Sequence, residues 1–303
     1  MAARRGWMLA GLLTGLMLVG TAGATTFGNR GEEIYRVAGC ENCHTDRDHN
    51  GARLAGGREL VTPLGTFYTP NITPDPSTGI GRWTEADFQR ALRKGIGPDG
   101  RQYYPSFPYT SYTKLTDDDI RALWNYMRKV PAVYHANQSH DLPWYLSYRP
   151  LLAIWKWLYF KPGAYQPVAG KPAEWNRGAY LVNGPAHCSE CHTPRNLLGG
   201  FESGEYLAGT LHGPEGGVVP NITPDRKYGI GTWHKSDIVQ YLSTGSRPDG
   251  DSAGSLMAEL IDNGLKYMPK ADLDAISSYI SDQRAVPNPA RKAANRKRHR
   301  DDY

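Results

Sequence analysis

Only four cysteines occur in the 303 residues, and all four sit in two copies of one short pattern. These are Cys40-Glu41-Asn42-Cys43-His44 and Cys188-Ser189-Glu190-Cys191-His192. Two thiols three residues apart share about one helical turn. There they can each add S–H across a vinyl group on one edge of a haem, and the next residue offers an imidazole to the iron. A zinc site could use two such cysteine pairs, but it does not require a histidine beside each. A thioredoxin-like motif would not recur with a trailing histidine. Two short disulfides would leave both histidines unexplained. The pattern predicts two covalently attached haem c groups. Cys40, Cys43, Cys188 and Cys191 attach them, and His44 and His192 are the proximal ligands.

The chain is also a duplication. Asn71-Ile72-Thr73-Pro74-Asp75 recurs as Asn221-Ile222-Thr223-Pro224-Asp225, Gly79-Ile80-Gly81 as Gly229-Ile230-Gly231, and Trp83 as Trp233. Pro98-Asp99-Gly100 recurs as Pro248-Asp249-Gly250. Leu54-Ala55-Gly56 matches Leu207-Ala208-Gly209, and Arg30-Gly31 matches Arg177-Gly178 ahead of each cysteine motif. A unit this long is a domain and not a solenoid repeat. Helices are expected over 31–39, over 84–94 with Thr84 as N-cap and Gly95 beyond the end, and over 234–244 before Gly245. A last helix is expected over 117–129, capped by Thr116 and carrying Ile120, Leu123 and Tyr126 on one face. Leu273, Ile276 and Tyr279 repeat that stripe. No alternating strand pattern of useful length stands out. The expected fold is all-α, two tandem class I-like cytochrome c domains with one haem each.

The ends and the middle set the boundaries. Arg4 and Arg5, the apolar run Trp7–Val19 and Ala22-Gly23-Ala24 read as a signal peptide over 1–24, with an uncleaved anchor as the alternative. Export implies the periplasm, with the membrane surface as the more specific alternative. The first domain then spans 25–134, an aromatic connector 135–170, the second domain 171–285 and a basic tail 286–303. The formal charge is +5. Arg4, Arg5 and the tail carry all of it, leaving residues 25–285 slightly negative. The tail is either a solvated extension or a docking segment; nucleic acid is not an expected partner of an exported chain. Within the connector, Trp144, Tyr145, Tyr148, Trp155, Trp157, Tyr159 and Phe160 are interrupted by Pro143, Arg149, Pro150 and Lys156. That stretch is a poor candidate to cross a membrane. A short helix packed between the domains is expected; the alternative is an aromatic face for a partner or membrane interface.

Each iron has a second axial position. In the second half Met257 is the preferred distal ligand, expected on the loop before the last helix, with Met268 as its rival. The repeat offset takes Met257 to Phe107, which has no donor atom. Met127 aligns with Ile280 and reads as core. His49, His135 and His140 are the remaining candidates, and the first haem is His/His, His/Met or five-coordinate. Arg47 and Arg195, three residues after each proximal histidine, are candidates for haem propionates or solvated charges. The two Asn-Ile-Thr sites match a glycosylation sequon but repeat inside a structural motif.

Taken together, the two Cys-x-x-Cys-His motifs, the Asn-Ile-Thr-Pro-Asp loops, Gly-Ile-Gly with its tryptophan, Tyr104-Pro105 to Tyr109 and Asn176–Val182 carry a resemblance. The chain resembles the multihaem c-type cytochrome subunits of periplasmic alcohol, gluconate and sorbitol dehydrogenases over nearly all its length after residue 24. The resemblance implies a methionine ligand at Met257. Phe107 departs from the methionine-ligated pattern, and two motifs stand where better-known members carry three. The expected function is electron transfer from a donor dehydrogenase subunit to a respiratory acceptor, with no catalytic residues of its own. An open first haem that binds peroxide or a gas is the alternative, and an anchor subunit acting through the connector is a third reading.

Overall fold

The computed structural model of the chain describes residues 27–288. The expected signal peptide and most of the basic tail lie outside the described residues. Among those described, the chain is mostly helical. The helices are α1 (Arg30–Val37), α2 (Cys40–His44), α3 (Glu85–Lys94), α4 (Tyr109–Tyr112), α5 (Asp117–Met127), α6 (Leu151–Tyr159), α7 (Ala173–Asn183), α8 (Ser189–His192), α9 (Lys235–Thr244), α10 (Ser255–Asn263) and α11 (Lys270–Ser281). One antiparallel hairpin, β1 (Glu59–Thr62) and β2 (Gly65–Tyr68), departs from the all-α expectation. Its strands are only four residues each, too short for an alternation to register in the sequence.

Helix ends follow their local chemistry. Thr84 and Asp87 form a reciprocal capping box at the start of α3, and Gly95 ends it in the left-handed region. Gly245 ends α9 in the same way. Thr116 caps α5, which stops at Met127, two residues before the expected end.

In each half the first long helix crosses the last: α1 packs on α5, and α7 on α11. The repeated Arg-Gly pair explains both crossings. A Cβ on Gly31 would stand 2.2 Å from the Ala122 carbonyl oxygen, and one on Gly178 would stand 1.9 Å from that of Ala275. Only glycine permits so close an approach. The adjacent arginines lock the crossings, Arg30 pairing with Asp119 at 2.6 Å and Arg177 with Asp272 at 2.6 Å. Ile34, Tyr35, Ile120, Leu123, Trp124 and Met127 fill the first core; Leu181, Val182, Leu273, Ile276 and Ile280 fill the second.

The halves meet through reciprocal contacts. The Tyr180 hydroxyl donates to Asp119, and Arg177 reaches Glu33 at 3.6 Å. From α4, Thr110 and Ser111 both donate at 2.6 Å to Glu190 on α8. In the opposite sense α10 lies on α2: Asn263 donates to the Asn42 side chain at 2.7 Å, and Arg58 bridges the Asn42 carbonyl and Glu259. The segment after the middle helix of each half thus clasps the cysteine helix of the other.

The connector departs from expectation. It packs, but it is not enclosed, and no residue of α6 is buried. Lys156 donates at 2.7 Å to the Lys94 and Gly95 carbonyls and to the Gln102 side chain, satisfying the C-terminal end of α3. Trp155 donates to the Leu198 carbonyl at 2.8 Å, and Phe160 meets the Tyr109 ring edge-on. The other side of α6 presents Leu151, Ile154, Trp157 and Leu158 to solvent, beside exposed Trp144, Tyr145 and Tyr148. Among the described residues no helix is long and apolar enough to cross a membrane.

Burial works to raise the Asp119 carboxyl, but Arg30 and Tyr180 together hold it below the usual carboxylate range. That contribution is present above the ordinary carboxylate pKa of about 3.9 and is lost as pH falls through the lower folded value. Asp119→Asn is expected to cost about 2–3 kcal/mol at pH 7 in urea unfolding, since it strands Arg30 and weakens the bond from Tyr180. The gap from wild type should narrow below about pH 4.

Candidate haem sites

Each cysteine helix follows a tight turn. Gly39 adopts the left-handed region ahead of α2, and His187 does so ahead of α8. Cys40, Cys188 and Cys191 are free thiols, and Cys43 stands three residues after Cys40 on α2. Burial pushes the Cys40 and Cys188 thiols up to about 12, so they stay protonated. Burial again, with Glu190 and then Cys43 adding to it, raises Cys191 to about 12.

The histidines of the two motifs are held alike. His44 Nδ1 lies 2.7 Å from the Pro70 carbonyl oxygen, and His192 Nδ1 lies 2.8 Å from that of Pro220. A carbonyl can only accept, so Nδ1 carries the proton in both rings. In the neutral imidazole this leaves the Nε2 lone pair for a metal. Burial lowers both pKa values, only partly offset by those carbonyls, and so favours the neutral form.

The repeated loop motifs serve these two bonds. The Gly56 N–H donates to the His44 carbonyl at 2.9 Å, and Gly209 does the same for His192 at 2.6 Å. Both glycines have positive φ. A Cβ on Gly56 would stand 2.5 Å from the Thr69 carbonyl oxygen and from the Pro70 carbonyl carbon. Just beyond, Asn71 is buried and its Oδ1 accepts from the Thr73 N–H at 2.9 Å and from the Thr73 hydroxyl at 2.8 Å. Asn221 and Thr223 repeat this at 2.8 and 2.7 Å. The Asn-Ile-Thr segments are therefore loop staples, with both asparagines too buried to accept a glycan.

Sequence reasoning missed the glutamates inside the cysteine motifs. Glu41 accepts from the Tyr35 hydroxyl, Arg53 and Arg47. Glu190 accepts from Thr110, Ser111 and Arg195. Arg47 and Arg195, expected at haem propionates or in solvent, are thus engaged by these glutamates. The hint was present: both motifs carry a glutamate between the cysteines and an arginine three residues after the histidine.

Met257 falls in the first turn of α10, where a loop was expected, and is half-buried against the core. Met268 and Met127 are buried core residues. His49 lies on the surface, 2.9 Å from Asp46. His135 Nδ1 lies 2.9 Å from the Ala55 carbonyl oxygen, and His140 Nδ1 accepts from the Tyr68 N–H at 3.2 Å.

The donor set fits a covalent haem. In each half it supplies two cysteines one turn apart and an imidazole whose Nε2 is left unprotonated. Thr69, next to Pro70, carries one of two buried side-chain oxygens without a hydrogen-bond partner among the described residues. The chain belongs to the cytochrome c family: a family model described as cytochrome c matches residues 28–131, and similarity to a relative over most of the chain supports it. A diheme cytochrome c-type protein of Cereibacter sphaeroides is 44% identical over 263 residues, 86% of this chain and 86% of that one. The fructose dehydrogenase cytochrome subunit of Gluconobacter japonicus is 41% identical over 86% of this chain and 52% of its own length. The gluconate 2-dehydrogenase cytochrome c subunit of Pantoea cypripedii is 38% identical over 83% of this chain and 58% of its own. The chain thus spans little more than half of those two subunits. Covalent haem c and electron transfer follow from membership of the family.

Gly56→Ala should push the Pro70 carbonyl away from His44. The expected result is a loss of about 2–4 kcal/mol in denaturant unfolding, with less haem retained per chain in a haem-stained gel. Unchanged stability and haem content would show that the carbonyl clamp is not sensitive to this contact.

Proposed function

We propose that this chain is an exported dihaem electron carrier of the periplasm, built from two tandem cytochrome c domains with one haem in each. It takes electrons from a dehydrogenase partner and passes them to a respiratory acceptor. The observation that supports this best is the pair of equivalent histidine clamps, one in each half, with the cysteine helices brought together by reciprocal packing. Cys40 and Cys43 would attach one haem and Cys188 and Cys191 the other, with His44 and His192 as proximal ligands and Met257 distal in the second half. A bound haem c supplies a single iron that gains or loses one electron.

The protein's contribution is placement and tuning. Pro70 and Pro220 fix the tautomer and angle of each imidazole. The Glu190 contacts from α4 and the α10 contacts on α2 hold the two sites in fixed relation. The names of the relatives support a dehydrogenase partner, since two of them are cytochrome subunits of such enzymes. The exposed apolar side of α6 supports peripheral attachment to the membrane surface.

A methionine ligand raises the potential of a haem. A spectroelectrochemical titration should therefore resolve two one-electron steps, and Met257→Ala should lower one step and leave the other in place. A single step in the wild type, or no shift in the variant, would contradict this assignment.

A further inference from the structure

We propose that the sixth iron position in the first half has no donor among the described residues and takes a small neutral diatomic ligand, with Phe107 standing where the second half supplies Met257. The proposal rests on the two-haem reading above.

The structure carries the equivalence beyond sequence offset. Gly95 and Gly245 end α3 and α9 in the left-handed region. The Tyr103 N–H returns to the Gly95 carbonyl at 2.8 Å, and the Ala253 N–H to the Gly245 carbonyl at 2.8 Å. Isolated bridges join Ile96 to Gln102 and Ser246 to Ser252. The two halves are thus in register up to four residues before Phe107 and Met257, and both side chains then turn half-buried against the core.

Phe107 is fixed there by aromatic neighbours. Its ring meets Tyr103 at 5.8 Å and Tyr112 at 5.7 Å, both edge-on, and lies 6.3 Å from Tyr109. The Tyr112 hydroxyl donates to the Ala38 carbonyl at 3.1 Å, two residues before Cys40, so this cluster is one ring away from the first cysteine helix. Burial keeps the three tyrosines as phenols, Tyr103 being raised to about 12, and a phenol is a poor iron donor.

The other candidates are engaged elsewhere, among them His187, whose ring stands 5.5 Å from Tyr112 and whose Nε2 lies 3.1 Å from the Ala38 carbonyl oxygen. Met127, the last residue of α5, is buried in the core. The His49 ring is mostly exposed and bonded to Asp46. His140 Nδ1 accepts from a backbone N–H, so its neutral ring carries its proton on Nε2 and has no lone pair there for iron. His135 is bonded to Ala55, on the loop that backs His44, and so shares the proximal side. A wall of aromatic rings offers little to an anion, which would lose its hydration, and suits an uncharged ligand.

The test uses the full holoprotein, with two haems per chain first verified by the pyridine haemochrome assay; a count of one would fail the underlying reading and not this one. Carbon monoxide is then titrated into the reduced protein and followed by absorption. One carbon monoxide per chain is expected, shifting half of the haem. Phe107→Met should abolish uptake and add a second methionine–iron signature to the oxidised spectrum. Phe107→Leu, which supplies no donor, should keep uptake at one per chain and guards against misfolding of the first variant. No uptake by a two-haem wild type would overturn the proposal. So would two carbon monoxide per chain, or uptake unchanged in a folded Phe107→Met protein.

Discussion

The hydrogen bond from the imidazole of each cysteine motif to a proline carbonyl is the constraint from which most of the loop architecture follows. A net bond of this kind stabilises by only about 1 kcal/mol. Its larger effect is on chemistry, because it decides which ring nitrogen carries the proton and where the other one points. To hold the Pro70 carbonyl in place the chain needs Gly56 without a side chain, Asn71 and Thr73 stapled to one another, and Val133 drawn in by the Asn71 amide at 2.8 Å. The second half meets the same need with Gly209, Asn221, Thr223 and Val286, the last accepting from Asn221 at 2.7 Å. The motifs that recur between the halves are largely the parts of this clamp, together with the Arg-Gly pair that lets the first and last helices cross.

The clamp alone would give two independent sites. What joins them is an exchange of contacts around the cysteine helices. The short helix α4 reaches Glu190 of the second motif, while α10 covers Asn42 of the first. The exchange is not symmetric. Glu41 turns inward to Tyr35 and Arg53 of its own half, whereas Glu190 turns outward to the other half. One residue of difference in the placement of the glutamate within the motif rotates it about the helix and changes its partner. The same region differs between the halves in length, α4 having four residues where α10 has nine. Non-equivalent sites are the natural outcome.

Much of this was legible in the residues. The cysteine spacing predicted that each motif forms about one helical turn, and the capping box at Thr84 and the glycines at 95 and 245 located helix ends. The duplication marked which loops carry weight, though not why. The Asn-Ile-Thr staple and the carbonyl clamp depend on contacts between segments distant in sequence, and no local pattern reports a carbonyl. Met257 was expected on the loop between the middle and last helices; that segment instead carries a helix of its own, which begins at Ser255. The connector misled for another reason. Its aromatic content suggested burial, yet Lys156, Trp155 and Phe160 anchor one side of α6 and leave Trp157 and Trp144 outside. Composition does not say which face of a short helix is used.

Intact mass spectrometry of the exported holoprotein tests the central claim most directly. The account predicts a chain heavier by two covalently bound haems, falling to one when Cys188 and Cys191 are replaced together by alanine and likewise when Cys40 and Cys43 are. A chain carrying one haem or none under conditions of full maturation, or a mass unaffected by either double substitution, would contradict it.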